Sequence, residues 1–177
     1  MLQQMLREAH KQGLLTDKSA LEEVKISRGT TDIIFLKQEE LQALEKYKPK
    51  SERLEKLKDA FLFGCYTGLR YSDLEQLNQA HYHKKTSKGE QYHVLSFVIK
   101  KTRMMHEIAM PPKAVAIVKK YWDQQEEKRL LPMPSNQKFN DYLKELCEDA
   151  DIDTEIEIAA QFGSEVRTEI KKKFEII

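Results

Sequence analysis

Apolar residues recur along this chain with two different periods. From Lys37 to Tyr47, Leu41, Leu44 and Tyr47 fall at helical spacing, and Pro49 ends the run. Ser51 then stands as an N-cap, with Glu52 beside it at the positive helix end, before a helix reaching about Tyr66. Leu54, Leu57 and Phe61 form one stripe of that helix, with Leu62 and Cys65 alongside. Its last part, DAFLFGCY, is apolar nearly all round, which predicts the central buried helix of the domain. Gly68 follows as a C-terminal cap, and Ser72 and Asp73 suit the start of a short helix reaching Leu77. The period then changes. HYHKKTSKGEQYHVLSFVIKKTRMMHEIAMPP (81–112) alternates, is rich in Val, Ile, Phe and Tyr, and contains the turn signal TSKGE. It predicts a small antiparallel sheet with strands near 80–84, 91–99 and 105–110, closed by Pro111 and Pro112.

Helical spacing returns from Lys113 to Arg129, with Val115, Ile117, Val118, Tyr121 and Trp122, and stops at the Pro-rich LPMPSN. Ser135 or Asn136 caps a further helix that turns Phe139, Tyr142, Leu143 and Leu146 inward. The tail alternates on both sides of FGSE (162–165), a hairpin pattern, and ends in the strand-like FEII. At the other end, residues 2–12 read as a helix with Leu2, Met5, Leu6 and Ala9 on one face, ended by Gly13. ISRGTTD lies in a linker covering 14–32, and IIF after it is a short extended piece.

Composition narrows the class. The 177 residues suit one domain, or one with a short appendage; 33% are charged and 40% hydrophobic, as in globular proteins rather than disordered ones. Net charge is +1, so a nucleic-acid role has to rest on local charge instead of the total. Cys65 and Cys147 sit in apolar helical patterns without a CxxC pair and read as reduced core thiols of a cytoplasmic protein. No apolar run reaches the ~20 residues of a bilayer span. His81 and His83 share a strand face but lack a third ligand, and no metal is expected. Tyr71 reads as packed, and Met104 and Met105 as hairpin-tip or partner-packing residues.

Three stretches remain that composition does not explain: TGLRYSDL (67–74), the basic hairpin FVIKKTRMMHEIAMP (97–111), and SNQKFNDYLKELCEDADI (135–152). In this order and spacing, with FLKQEELQALEKY ahead of them, they resemble the catalytic domain of the tyrosine recombinase, or phage integrase, family, especially Bacteroidetes-type integrases. The resemblance implies an α+β, mainly helical fold: a helical bundle with a small antiparallel three-stranded sheet. Residues 1–30 would be the end of the core-binding domain helix plus its linker, and 31–177 the N-terminal part of the catalytic domain. It further implies site-specific DNA recombination through a 3′-phosphotyrosyl intermediate, with no metal or nucleotide cofactor. The partners implied are double-stranded DNA and other recombinase protomers.

The residue types suit that chemistry. A phosphorane-like transition state gathers negative charge on its non-bridging oxygens, and a guanidinium offers them two parallel donors without losing its proton. Arg70 is the expected clamp. An ammonium can protonate the leaving 5′ oxygen; Lys101 is the choice for this, with Lys100 its rival. Asp73 is expected to hold or orient Arg70 or its loop. Lys84, Lys85, Lys88, Lys100 and Arg103 are expected to meet DNA phosphates, although a solvated edge that discourages strand pairing explains the same lysines. The family's HxxR motif and nucleophilic tyrosine do not follow Lys101 here: HEIA is not HxxR, and Tyr121 and Tyr142 come too early on apolar faces. The chain is therefore expected to be inactive alone, with an apolar surface exposed, or covered by another copy or by the tail. A non-catalytic DNA-binding fragment and a helical interaction domain are the alternatives.

Overall fold

The structure is a computed structural model that describes residues 2–14, 34–124, 128–162 and 165–177. It divides into two units, Met1–Asp32 with Ala159–Thr168, and Ile33–Ile158 with Glu169–Ile177. In the first, α1 (Leu2–Lys11) ends where Leu14 N–H reaches the Ala9 carbonyl at 2.9 Å and Gly13 takes a left-handed φ of 71°. The expected linker over 14–32 and the start of IIF lie outside the described residues, apart from Leu14.

In the second unit α2 (Gln38–Lys46) begins after Lys37, whose N–H donates to Glu40 Oε2 at 2.6 Å. Next, α3 (Glu52–Thr67) is capped by Ser51, whose Oγ accepts from Leu54 N–H at 3.4 Å. It is the central helix, as its apolar pattern predicts. Phe63 enters one core with Leu95 and Phe97 of the sheet and Val118; Leu54, Leu57 and Leu62 enter another with Leu44, Phe139 and Leu146. A short α4 (Tyr71–Gln76) follows, then the antiparallel sheet β1 (Tyr82–Ser87), β2 (Glu90–Val98) and β3 (Met105–Ala109), in the order β1-β2-β3. Two further helices, α5 (Pro112–Tyr121) and α6 (Asn136–Asp149), precede the hairpin β4 (Glu155–Phe162) and β5 (Glu165–Lys172). The fold is α+β, its helical residues outnumbering its strand residues, with a small three-stranded sheet. Among the described residues no helix is long and apolar enough to cross a membrane.

Several elements depart from the periodic reading. The first strand begins at Tyr82, not near 80, because Asn78 closes a 3-10 turn: its Oδ1 accepts from Ala80 N–H at 3.0 Å, and its own N–H donates to His81 Nδ1 at 3.2 Å. That strand runs on to a two-residue turn in which Lys88 and Gly89 both have positive φ, 51° and 83°. Helix α5 stops at Tyr121 instead of Arg129. The Trp122 carbonyl is taken by Gln79 Nε2–H at 2.6 Å, and the chain then runs beside the Leu77–Asn78 segment, where Leu130 N–H donates to the Leu77 carbonyl. FEII is not a strand. Lys173–Glu175 form a 3-10 turn, and Phe174 and Ile177 pack on the second core. Cys147 is buried there as expected, but Cys65 is exposed on α3 and is not a core thiol.

Two ion-pair systems fasten the helices. Buried Asp59 accepts from Tyr121 O–H at 2.8 Å and from Lys120 Nζ at 2.7 Å, joining α3 to α5. Burial alone would lower the pKa of Lys120; its bonds to Asp59 and Glu55 outweigh that and raise it. Lys173, 3% exposed, donates to Glu40 Oε2 and ties the end of the chain to α2.

Candidate functional site

The reversal at TGLRYSDL is built on two glycines. Gly68 N–H reaches the Gly64 carbonyl at 2.8 Å while Gly68 itself sits at φ 69°, a left-handed C-cap. A methyl group on Gly64 would lie 3.2 Å from Leu74 Cδ1, so the bare α-carbon lets α4 pack close on α3. The chain leaves this reversal extended at Arg70, whose carbonyl accepts from Asp73 and Leu74 N–H, both at 2.9 Å, to begin α4. The Arg70 side chain is exposed, and its guanidinium has no hydrogen bond or ion pair among the described residues.

Asp73 does something different from what its place in the motif suggests. Its carboxylate is 4% exposed and makes no bond to the Arg70 guanidinium. Instead Oδ1 accepts from Lys100 N–H at 3.3 Å and from Gln76 Nε2 at 3.4 Å. Gln76 Nε2 also donates to the Val98 carbonyl at 3.0 Å, and Lys100 Nζ lies 3.4 Å from Glu75 Oε2. Three contacts, from Asp73, Glu75 and Gln76, thus join α4 to the end of β2 and the residues just after it. The turn that follows is closed by Ile99 N–H on the Met104 carbonyl at 3.0 Å and by Arg103 N–H on the Ile99 carbonyl at 2.8 Å. Arg103 takes φ 55°. Lys100 and Lys101 lie in this turn, not on alternating faces of a strand. Lys101 is exposed and has no ion pair among the described residues.

The expected DNA-contacting lysines do not form one group. Lys100 and Arg103 lie with Lys101 at one end of β2; Lys84 and Lys85 lie toward the other, about 25 Å away at ~3.3 Å per strand residue, and Lys88 lies farther still, in the β1–β2 turn. Lys85 is also engaged by Glu107, which accepts Ser96 O–H at 3.2 Å as well. Arg70, Lys101 and Arg103 are each exposed and without an ion pair among the described residues.

Neighbouring side chains are structural. Tyr71 O–H donates to the Pro134 carbonyl at 2.6 Å, and its ring meets Phe139 edge-on at 5.3 Å. Burial, then the Glu75 carboxylate, raise its pKa, so the hydroxyl stays protonated. Phe61, Leu69, Tyr71, Leu74 and Phe139 wall an apolar depression of about 370 Å³ next to the reversal, with Cys65 at its rim. Desolvation of its sulfur pushes the Cys65 thiol up to about 11, so it is a poor nucleophile. His81 sits in the 3-10 turn and His83 on β1 opposite Val94, so the two are not paired on one strand face. Among the described residues no three His, Cys, Asp or Glu side chains group as a metal site would.

Glu75 and Gln76 were not singled out from the sequence. The i, i+3 spacing of Asp73 and Gln76 was a readable signal for a shared helix face, but nothing in the sequence said that this face meets residues 98–100. Comparison with family models, with curated proteins and with solved structures found no match to this chain.

Proposed function

We propose that this chain belongs to a DNA strand-exchange enzyme of the tyrosine recombinase type, and that Arg70 and Lys101 address one phosphodiester. The observation that carries the reading is the pin at Asp73. A buried carboxylate holds the backbone of the Lys100–Lys101 turn against the helix that Arg70 begins, while both cations are left exposed and without carboxylate partners among the described residues. Arg70 would offer two parallel donors to the non-bridging oxygens, and Lys101 a proton to the leaving oxygen. Lys101 is preferred to Lys100 because the Lys100 ammonium is already drawn to Glu75.

A second reading keeps DNA binding without cleavage. The tyrosine beside Arg70 gives its hydroxyl to Pro134, and Tyr121 gives its hydroxyl to Asp59, so neither is presented as a nucleophile. Fluorescence anisotropy with a labelled duplex at two salt concentrations tests both. Binding should weaken steeply with salt, and Arg70→Ala should lower the log–log salt slope by about one. Absence of duplex binding at low salt, or an R70A protein indistinguishable from wild type, would sink the nucleic-acid reading. A covalent protein–DNA adduct surviving denaturation separates the enzyme from the binding module.

A further inference from the structure

Away from Arg70, at the other end of β2, a groove of about 480 Å³ opens between the strand and α5. Its floor is apolar, from Met110, Pro112 and Val115; Tyr92 and His93 stand on one side and Lys119 on the other. His93 is fixed by Tyr82, whose hydroxyl lies 2.5 Å from His93 Nδ1 and whose ring stacks on the imidazole at 5.3 Å; Trp122 in turn braces Tyr82 at 5.2 Å. Burial, then Lys119 and Lys84, lower the pKa of His93, so the ring is neutral near pH 7. Burial keeps Tyr82 protonated. The Tyr82 hydroxyl can donate to Nδ1 or accept from it; when it donates, the neutral His93 ring carries its proton on Nε2. In that tautomer the ring has one N–H donor to offer, and the charges of Lys119 and Lys84 both reach it. Lys84 lies directly opposite His93 in the β1–β2 register, and neither Lys84 nor Lys119 pairs with a carboxylate among the described residues.

An apolar floor beside two unpaired cations and an oriented N–H has a definite complement: a flat, weakly polar body carrying a dianionic or monoanionic oxyacid. We propose that this groove binds a 5′-nucleotide unit. The phosphate sits among Lys84, Lys119 and His93 Nε2–H, and the sugar and base lie over Met110, Pro112 and Val115 against Tyr92. Volumes of this order suit small-molecule sites, and charge-assisted donors of this kind are the strong ones. The unit has two sources, a free mononucleotide or one residue of a single strand. This site does not depend on the function proposed for Arg70.

The test is heteronuclear NMR of the whole chain, following the amides of Gln91–His93 and the His93 ring. The probes are deoxyadenosine monophosphate, deoxyadenosine, inorganic phosphate and a short oligo(dA) strand. Saturable shifts with the nucleotide at millimolar concentration are expected, with deoxyadenosine and phosphate each about tenfold weaker, equivalent to one lost charge-assisted contact. Tighter binding of the strand than of the nucleotide assigns the site to single strands; equal or weaker binding assigns it to the free nucleotide. Lys119→Glu should weaken the nucleotide response by about tenfold or more while leaving melting temperature and the Arg70-dependent duplex binding unchanged. Arg70→Ala should leave the nucleotide response intact. No saturable shift, a response to phosphate alone equal to that of the nucleotide, or a K119E protein that binds as well as wild type overturns the proposal.

Discussion

The molecule treats its cations in two opposite ways. Around α2, α3, α5 and the end of the chain several are matched to acids: Lys120 with Asp59 and Glu55, Lys173 with Glu40, Lys113 with Glu45, and Arg53 bidentate on Glu145. At α4 and the β2–β3 turn the buried acid is used on the backbone instead, and Arg70 and Lys101 are left without partners among the described residues. In a chain with 30 Lys and Arg and 29 Asp and Glu, acids are plentiful enough that local geometry, rather than supply, decides which cation goes unpaired. The difference teaches where stability and where function are to be sought. Matched, buried pairs are costly to break, whereas an exposed unpaired cation contributes little to folding.

The largest effects should therefore come from the matched region. Asp59→Ala removes the acceptor of both Lys120 and Tyr121 and should lower unfolding free energy by about 3 kcal/mol in denaturant melts. A loss under about 1 kcal/mol would mean that water replaces the carboxylate and that the network is not a fastening.

Lys173→Ala comes next, at about 2–3 kcal/mol, because Glu40 is left partly buried without its cation. The double change of Lys173→Met with Glu40→Leu should recover most of it, since an apolar pair of similar volume avoids the desolvation cost. This pair also has a pH signature. Burial, the largest single influence, raises the Glu40 pKa, but the hydrogen bonds from Lys173 and the Lys37 N–H and the charges of both lysines together outweigh it and lower the pKa from its ordinary 4.5. A carboxyl depressed in the folded state binds its proton more readily when unfolded. Its contribution is therefore complete above pH 4.5 and disappears as pH falls through the folded value. Comparing acid unfolding of wild type with K173M/E40L should show the variant less sensitive over that window.

Asp73→Ala should be milder in stability, about 1–2 kcal/mol, but local in its consequence. The Lys100 amide, pinned by Asp73, should exchange with solvent faster while amides in the middle of α3 keep their protection. Unchanged exchange at Lys100 would break the link between α4 and the turn. Gly68→Ala should cost about 1 kcal/mol, the strain of a Cβ at φ 69°.

The smallest effect sharpens the contrast most. Arg70→Ala should shift stability by less than about 0.5 kcal/mol, because the guanidinium has no partner to lose. A loss comparable to that of Asp59→Ala would move Arg70 into the structural class.

Elements whose apolar period was long were legible in advance. The central helix, its Ser51 cap, its glycine stop and the three-stranded sheet follow from spacing and turn chemistry that neighbouring residues settle among themselves. The readings that failed depended on distant partners. Helix α5 stops early because Gln79 takes the Trp122 carbonyl and Leu77 receives the returning chain. FEII forms a turn because Phe174 and Ile177 find the second core, and Cys65 lies on the face of α3 that this core leaves exposed.

At the site the same division holds. The sequence determined that a guanidinium would follow a helix-ending glycine and that two lysines would stand in a hairpin turn, since caps and turns are local properties. Only the tertiary structure decided that Asp73 would grip the Lys100 backbone instead of Arg70, that Glu75 would draw one lysine and not the other, and that His93 and Lys119 would line one groove. Those outcomes depend on which surfaces are buried together, and a one-dimensional pattern does not record which of several chemically equivalent partners ends within 3.5 Å of a given donor.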